Sequence, residues 1–238
     1  MREKPFGEQT AIITGGATGI GRSFTEALLE GGIQAVVIAS RRRDVLEDAA
    51  KQLNAKYGER VHNHVFDTRD RDQTENIVCE TIGEFGAIDI LINNSGLAVP
   101  ENVVEITSKS WDKVMETNLR GAMWLTQLVL PKMLEQDFGD IVNVSSQAGK
   151  NGYADVPSYC ASKFGLLGFA ESLRDDMRKR NANIRVFNFC PGLVDVDSPP
   201  DQSPKPGFIH VGNMAKTLTY ALSLDRNVNL EDISIYCR

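Results

Sequence analysis

No run of consecutive apolar residues in this sequence approaches the roughly 20 needed to cross a bilayer as a helix. The opening Met-Arg-Glu-Lys-Pro-Phe-Gly-Glu also lacks the apolar stretch of a secretory signal. These absences predict a cytoplasmic protein with no membrane partner. Cysteine is sparse, with four in 238 residues. Cys79, Cys160, Cys190 and Cys237 show no short paired spacing, which fits structural thiols better than a metal pair; Cys190 and Cys237 fall in apolar runs where thiols are commonly buried. Histidine is scarcer still, at three. His62 and His64 alternate along one strand with no third ligand evident nearby, so no metal site is expected. A surplus of positive charge is missing too: the formal net charge is −6, which gives no global reason to expect a nucleic-acid partner.

What is present is a chain that is 42% hydrophobic and 24% charged, enough to bury a core. Apolar runs of strand length fall at 10–14, 35–39, 61–66, 88–92, 141–144, 184–189 and 233–236. Helical segments fill the intervals, at 19–31, 43–57, 70–85, 108–136, 158–180 and 212–224. Short apolar strands alternating with amphipathic helices imply a parallel sheet covered on both faces. Seven strands with six connections predict one doubly wound α/β domain over residues 1–238. Residues 195–210 break the pattern: four prolines there disfavour helix and predict an exposed loop.

The first strand runs into Thr14-Gly15-Gly16-Ala17-Thr18-Gly19-Ile20-Gly21-Arg22 and then a helix. A nucleotide pyrophosphate needs this setting, because glycines admit the phosphates to the backbone and a helix N-terminus offers free amides and a positive dipole end. The spacing of Gly15, Gly19 and Gly21 differs from G-x-G-x-x-G, so position on the first strand–helix unit carries the argument. The second strand ends Ala39-Ser40-Arg41-Arg42. An acidic residue at the place of Ser40 would receive ribose hydroxyls and select NAD. Here the carboxylate is missing and Arg41 puts a permanent cation where a 2′-phosphate would lie, with Arg42 and Arg43 as possible helpers. Taken alone, the three arginines read as a solvated helix start. Together with the missing carboxylate they predict NADP(H) as the cofactor.

Tyr159 and Lys163 stand four apart in Tyr-Cys-Ala-Ser-Lys, on one helix face with Cβ atoms about 5–6 Å apart. A free phenol titrates near pH 10, and a fixed ammonium beside it is expected to lower that value and make it an acid/base at neutrality. The spacing alone is weak, since such pairs arise by chance on many helices.

With these motifs in order, the chain resembles the short-chain dehydrogenase/reductase family across nearly its whole length. Asn93-Asn94-Ser95-Gly96 is similar to the family's Asn-Asn-Ala-Gly segment after the fourth strand. Asp67, in Phe66-Asp67-Thr68, resembles the aspartate that reaches the adenine. Asn118, in Thr-Asn-Leu-Arg-Gly, resembles the catalytic asparagine, and Ser146, in Asn-Val-Ser-Ser, the catalytic serine. Pro191-Gly192, leading into Val194, resembles the turn that borders the nicotinamide. The resemblance implies a Rossmann-type fold, hydride exchange between nicotinamide and a carbonyl or alcohol carbon of a small molecule, and a homodimer or homotetramer. It assigns Ser146 to hold the substrate oxygen and Tyr159 to move its proton. Lys163 is to tune Tyr159 and reach the nicotinamide ribose, and Asn118 to hold a water linking Lys163 to solvent. The cofactor contacts it implies are Gly15, Thr18, Gly19, Ile20, Gly21, Ser40, Arg41, Arg42, Asp67, Thr68, Asn94, Ser95, Gly96, Tyr159, Lys163, Pro191, Gly192 and Val194, with no metal.

Two rivals are set aside on the residues. Tyr153 has no lysine at i+4 and is expected as a pocket wall or a packed loop residue, and strand alternation turns Ser145 away from Ser146. There are also departures from the pattern. Val196 stands where members often carry a threonine that contacts the carboxamide, so that contact is lost or taken by Ser198. The substrate loop, about 193–210, is short and proline-rich, which predicts an open pocket for a broad or bulky substrate. A 3-oxoacyl-(acyl-carrier-protein) reductase is the alternative, for which Arg178-Lys179-Arg180 would supply positive charge while Glu135 to Asp140 would not. A cofactor-binding regulator without catalysis is the alternative of another class. The stretch 227–235 bears a lighter likeness to members acting on small hydroxy acids.

Overall fold

The computed structural model describes residues 3–198 and 202–237; the expected loop residues Pro199, Pro200 and Asp201 lie outside them. Strands and helices alternate as β1 (Thr10–Thr14), α1 (Gly19–Glu30), β2 (Ala35–Ser40), α2 (Arg43–Tyr57), β3 (Val61–Val65), α3 (Arg71–Phe85), β4 (Ile90–Asn93) and α4 (Ser108–Met115). They continue as α5 (Gly121–Gln136), β5 (Gly139–Val144), α6 (Pro157–Lys179), β6 (Ile184–Pro191), β7 (Val194–Asp195), β8 (Ile209–His210), α7 (Val211–Ser223) and β9 (Asp232–Ile235). Seven strands form one parallel sheet in the order β3-β2-β1-β4-β5-β6-β9. The expected α/β domain, with helices on both faces of a seven-stranded parallel sheet, is what the chain folds into.

The central strands are buried on both sides because consecutive side chains point to opposite faces and both are apolar. Ile13, Val36, Ile38, Ile92, Val142 and Phe187 pack on one face with Phe24 and Leu28 of α1 and Met214 and Leu218 of α7. Their neighbours Ile12, Val37, Leu91, Ile141 and Val186 pack on the other with Leu125 and Val129 of α5 and Ala170 and Leu173 of α6. Each strand thereby anchors two helix layers. Phe24 meets Phe189 of β6 edge to face, with centroids 5.6 Å apart.

A row of buried amides crosses this sheet. Asn93 Nδ2 donates to Asn143 Oδ1 at 3.0 Å, Asn143 Nδ2 to Asn188 Oδ1 at 3.2 Å, and Asn188 Nδ2 to Asp232 Oδ1 at 2.8 Å. These four residues are register partners on β4, β5, β6 and β9. Since a one-residue slip turns every side chain of a strand to the other face, the row holds the four strands in a single register. Gly96, Ser146 and Pro191 each follow their rung by three residues, so the row also sets the height of those positions above the sheet.

The structure departs from the sequence reading in three places. The helix expected over 108–136 is interrupted by a π turn at Glu116–Arg120 between α4 and α5. The 195–210 loop is tied at its ends by the short parallel pair β7 and β8, Val194 facing Ile209 and Asp195 facing His210. Cys79 and Cys237 are exposed, unlike Cys160 and Cys190. For Cys237 the reason is that β9 is an edge strand covered along only part of its length.

Candidate active site

The strand order reverses between β1 and β4, which opens a crevice at their carboxyl ends. At the end of β1 the chain turns through Gly15 and Gly19, with φ of 68° and 56°, values that favour glycine. Gly21 starts α1 so close beneath this turn that a Cβ there would lie 2.2 Å from the Gly15 carbonyl oxygen. The turn is held from β4: Asn94 Nδ2 donates to the Thr14 carbonyl at 2.9 Å, and the Asn94 and Ser95 amides donate to Thr14 Oγ1 at 3.0 and 2.9 Å.

A cleft of about 240 Å³ beside this turn is lined by Gly15, Thr18, Ser40, Arg41, Arg42, Thr68, Asn94, Ser95 and Gly96, and also by Thr117. A larger cavity of about 800 Å³ is lined by Ile20, Asn94, Gly96, Ser146, Tyr159, Lys163, Pro191, Gly192 and Val194, together with Tyr153 and Tyr236. Asn94, Gly96 and Leu97 line both, so the two form one continuous groove. Of the catalytic and cofactor positions expected from the sequence, Gly19, Gly21, Asp67 and Asn118 are not on its walls. The two glycines shape the turn. The Asp67 carboxylate is gripped by Arg69, whose Nε lies at 3.0 Å and Nη2 at 2.6 Å, and this pairing holds it below its ordinary range. Its neighbours Phe66 and Thr68 face the cleft in its place. Arg43 is paired with Glu47 at 3.2 Å on the exposed side of α2.

Ser146 follows β5 and accepts the Ala148 amide at 3.1 Å. Ser145 is turned inward, its Oγ donating to the Lys163 carbonyl at 3.3 Å, so alternation separates the two serines as expected. Pro157 starts α6, where its missing N–H costs nothing, and the helix carries Tyr159 and Lys163 into the cavity from one face. Tyr159 is half-buried. Its phenol is pushed up from the ordinary value by burial, while a hydrogen bond with Ser146 pulls it down. This corrects the expectation that Lys163 lowers the phenol. The Lys163 ammonium lies 5.5 Å from the ring centre and is hydrogen-bonded to the Val144 carbonyl instead. Burial in turn brings Lys163 down to about 8.

Asn118 sits in the π turn, a distortion that is rare and tends to mark functional positions. Its Oδ1 accepts the Leu97 amide at 2.9 Å, and its Nδ2 donates to the Leu97 carbonyl at 2.8 Å and to Ser162 Oγ at 3.0 Å. Ser162 in turn donates to the Tyr159 carbonyl at 2.7 Å. Asn118 thus ties the loop after β4 to the first turns of α6. A Cβ at Gly96 would lie 3.4 Å from Lys163 Nζ and 3.5 Å from Asn118 Oδ1, so glycine keeps that meeting point open.

Past β6, Asp195 is buried and accepts from the amides of Asp197, Ser198 and Lys205 and from Ser198 Oγ at 2.7 Å. These donors hold its carboxyl well below the usual range. Ser198 is therefore committed to Asp195 and does not replace the threonine missing at Val196, which packs over Gly19. Leu97, Thr117, Ser162, Asp195 and Tyr236 were not singled out in the sequence. Asp195 and Thr117 had only proximity to a motif to mark them, and Tyr236 had no signal at all. His62 and His64 pair with Glu84 and Glu80, and no group of three metal-ligating side chains occurs among the described residues.

The family model described as short chain dehydrogenase matches residues 9–206. The chain belongs to that family. It is an oxidoreductase of the type that acts on CH–OH and C=O groups. A 3-oxoacyl-(acyl-carrier-protein) reductase of Thermotoga maritima is 33% identical over 79% of this chain and 74% of its own length. An uncharacterised oxidoreductase of Staphylococcus saprophyticus is 28% identical over 96% of this chain and 97% of its own. Among solved structures, an actinorhodin polyketide ketoreductase with NADPH superposes with a TM-score of 0.87 at 26% identity, covering 96% of this chain and 95% of that one. A serine dehydrogenase from Escherichia coli does so at 0.83 and 26%, covering 96% and 98%. No helix among the described residues is long and apolar enough to cross a membrane.

Proposed function

We propose that this short chain dehydrogenase is a single-domain, NADP(H)-dependent enzyme that interconverts a small-molecule carbonyl and a secondary alcohol. The observation that carries the reading is the continuous groove, with a glycine turn and Arg41 and Arg42 at one end and Ser146, Tyr159 and Lys163 at the other. Three features of the groove fit a dinucleotide carrying a 2′-phosphate. Gly15, Gly16 and Gly21 of the turn have no room for a side chain, two guanidiniums follow Ser40, the place where a carboxylate would select NAD, and the buried Thr117 Oγ1 on the cleft wall has no hydrogen-bond partner. The bound cofactor supplies the hydride. Ser146 donates to the substrate oxygen where charge develops. Tyr159, a phenol kept protonated by burial, passes its proton to that oxygen in reduction and takes it back in oxidation. Lys163 carries positive charge to the base of the site. Asn118 acts as a positioning residue, and a water linking it to Lys163 would use the second lone pair of Oδ1 or the backbone carbonyl.

The T. maritima relative favours a second reading, reduction of acyl groups on a carrier protein. The basic run at 178–180 does not support it. Arg178 lies nineteen residues beyond Tyr159 on the same helix, about 28 Å away, and Lys179 and Arg180 pair with Asp175 and Asp176. A location in the cytoplasm and a homo-oligomer belong to the proposal as well. The test is NADPH consumption against a panel of ketones and aldehydes, repeated with Tyr159→Phe. Turnover should fall by about 10²–10⁴-fold with NADPH binding retained. Unchanged turnover in that variant would sink the assigned mechanism.

A further inference from the structure

The 800 Å³ cavity is lined by more than the expected cofactor and catalytic positions, and its walls are mostly apolar. Among the described residues, Lys163 is the only charged one lining it, and that ammonium is buried against the Val144 carbonyl. No arginine, histidine or carboxylate among the described residues lines the space. Its further lining includes Val156, Leu193 and Val196 and the rings of Tyr153 and Tyr236. Of the large apolar and aromatic side chains that the described residues leave exposed, Tyr153, Leu193, Val196 and Tyr236 gather at this one mouth, at 49%, 64%, 46% and 63% exposure. Exposed apolar side chains clustered at a pocket rim point to a ligand that covers them.

A carboxylate or ammonium brought into such a space loses its hydration and finds no partner, a cost that runs to several kcal/mol. A ring or a branched hydrocarbon gains from every wall it touches. The backbone at Tyr153 is held to α6, where its amide donates to the Cys160 sulfur at 3.4 Å, next to Tyr159. Tyr236 arrives from the far edge of the sheet, directly after β9.

We infer that the substrate is a neutral, ring-bearing ketone or aldehyde and neither an oxo acid nor an amino-acid alcohol, with Tyr153, Leu193 and Tyr236 as the residues that select it. This rests on the carbonyl–alcohol reading above. In the reaction, hydride from NADPH bonds to the carbonyl carbon, the C=O π pair moves to oxygen and takes the Tyr159 proton, and the products are the alcohol and NADP⁺. Tyr159 is reprotonated from solvent.

Steady-state kinetics with NADPH would compare acetophenone and cyclohexanone with pyruvate and 2-oxobutyrate, and serine with NADP⁺. Calorimetry on the NADP⁺-saturated protein would compare 1-phenylethanol with lactate. The expected result is a preference of about a hundredfold in kcat/KM for the neutral ring ketones, with heat of binding for phenylethanol and none for lactate. Leu193→Arg, at an exposed position that tolerates charge, should cut that preference at least tenfold by giving the oxo acids a partner. Tyr236→Ala should raise the ring ketone KM about tenfold with kcat little changed. Equal or better use of the oxo acids or serine, or no binding of phenylethanol, overturns the inference. Phenylethanol binding without turnover of any carbonyl leaves the inference standing and removes the reductase reading instead.

Discussion

Lys163 donates its ammonium proton to the carbonyl oxygen of Val144 at 2.7 Å, inside a site where the lysine is almost wholly buried. That bond, rather than one to Tyr159, is the ammonium's hydrogen-bonded anchor in the protein, and burial brings the group down to about 8. The consequence for stability has a definite sign. A lysine lowered in the folded state binds its proton less well there than in the unfolded chain, so its contribution to stability rises with pH between about 8 and the unfolded value of 10.5.

Lys163→Met, which keeps the length and removes the charge, should therefore abolish turnover without destabilising the cofactor-free protein at pH 7. As the pH is raised from 7 to 9.5 the wild type should gain on the variant by about 2 kcal/mol. Urea unfolding of both proteins at the two pH values measures this difference. A variant much less stable than wild type at pH 7 would contradict the assignment of an unfavourable buried charge.

Ser146 opposes the effect of burial on Tyr159. Ser146→Ala should leave the phenol higher still. Alcohol oxidation, which needs the phenolate, should then move its rising limb to more alkaline pH. Carbonyl reduction, which needs the phenol, should keep its activity through neutrality. Both directions should lose about 10²–10³-fold in rate from the missing oxyanion donor. A pH–rate profile in each direction checks the shift, and an unmoved oxidation limb would count against the Ser146–Tyr159 bond.

Arg41 lines the cleft beside Ser40 and lies near enough to Asp67 to favour its charged form. Removing it with Arg41→Ala should weaken NADPH binding by about ten- to a hundredfold, the worth of charge-assisted hydrogen bonds to one phosphate. NADH should be almost unaffected. Fluorescence titration with both nucleotides gives the ratio, and Ser40→Asp should push it further toward NADH. Equal losses for the two would mean that Arg41 does not meet a 2′-phosphate.

Asn143 holds the centre of the amide row, bonded to Asn93 on one side and Asn188 on the other. Asn143→Ala strips a partner from two buried amides at once and should cost about 2–4 kcal/mol. In a double-mutant cycle, Asn143→Ala and Asn188→Ala should be clearly non-additive, because they share one bond. Additive losses would show that the row is not coupled.

Much of this molecule can be read from local pattern. The α2 range 43–57 matches residue for residue, because its start and its Gly58 stop are both local signals. The glycine turn, the Ser146 position and the Tyr159–Lys163 face likewise depend on spacings of a few residues, and those spacings survive folding unchanged. The π turn at Asn118 was not legible, since an i→i+5 insertion leaves no mark in an apolar pattern that continues through it. Nor was the direction of the Tyr159 shift. Spacing places Lys163 near the phenol, but which neighbour takes the ammonium's hydrogen bond depends on Val144, a residue nineteen positions earlier.

The sequence by itself therefore determined the α/β alternation, the glycine turn after β1 and the shared helix face of Tyr159 and Lys163, all set by hydrophobic period and short-range spacing. Tertiary structure alone decided the amide row, which joins residues 44 to 50 positions apart, and the joining of two clefts into one groove. It also brought Tyr236 to the cavity that Tyr153 lines, because β9 packs next to β6 at the sheet edge. These are consequences of strand order. Strand order is fixed by the burial of both sheet faces at once, a property that no single segment of the chain carries.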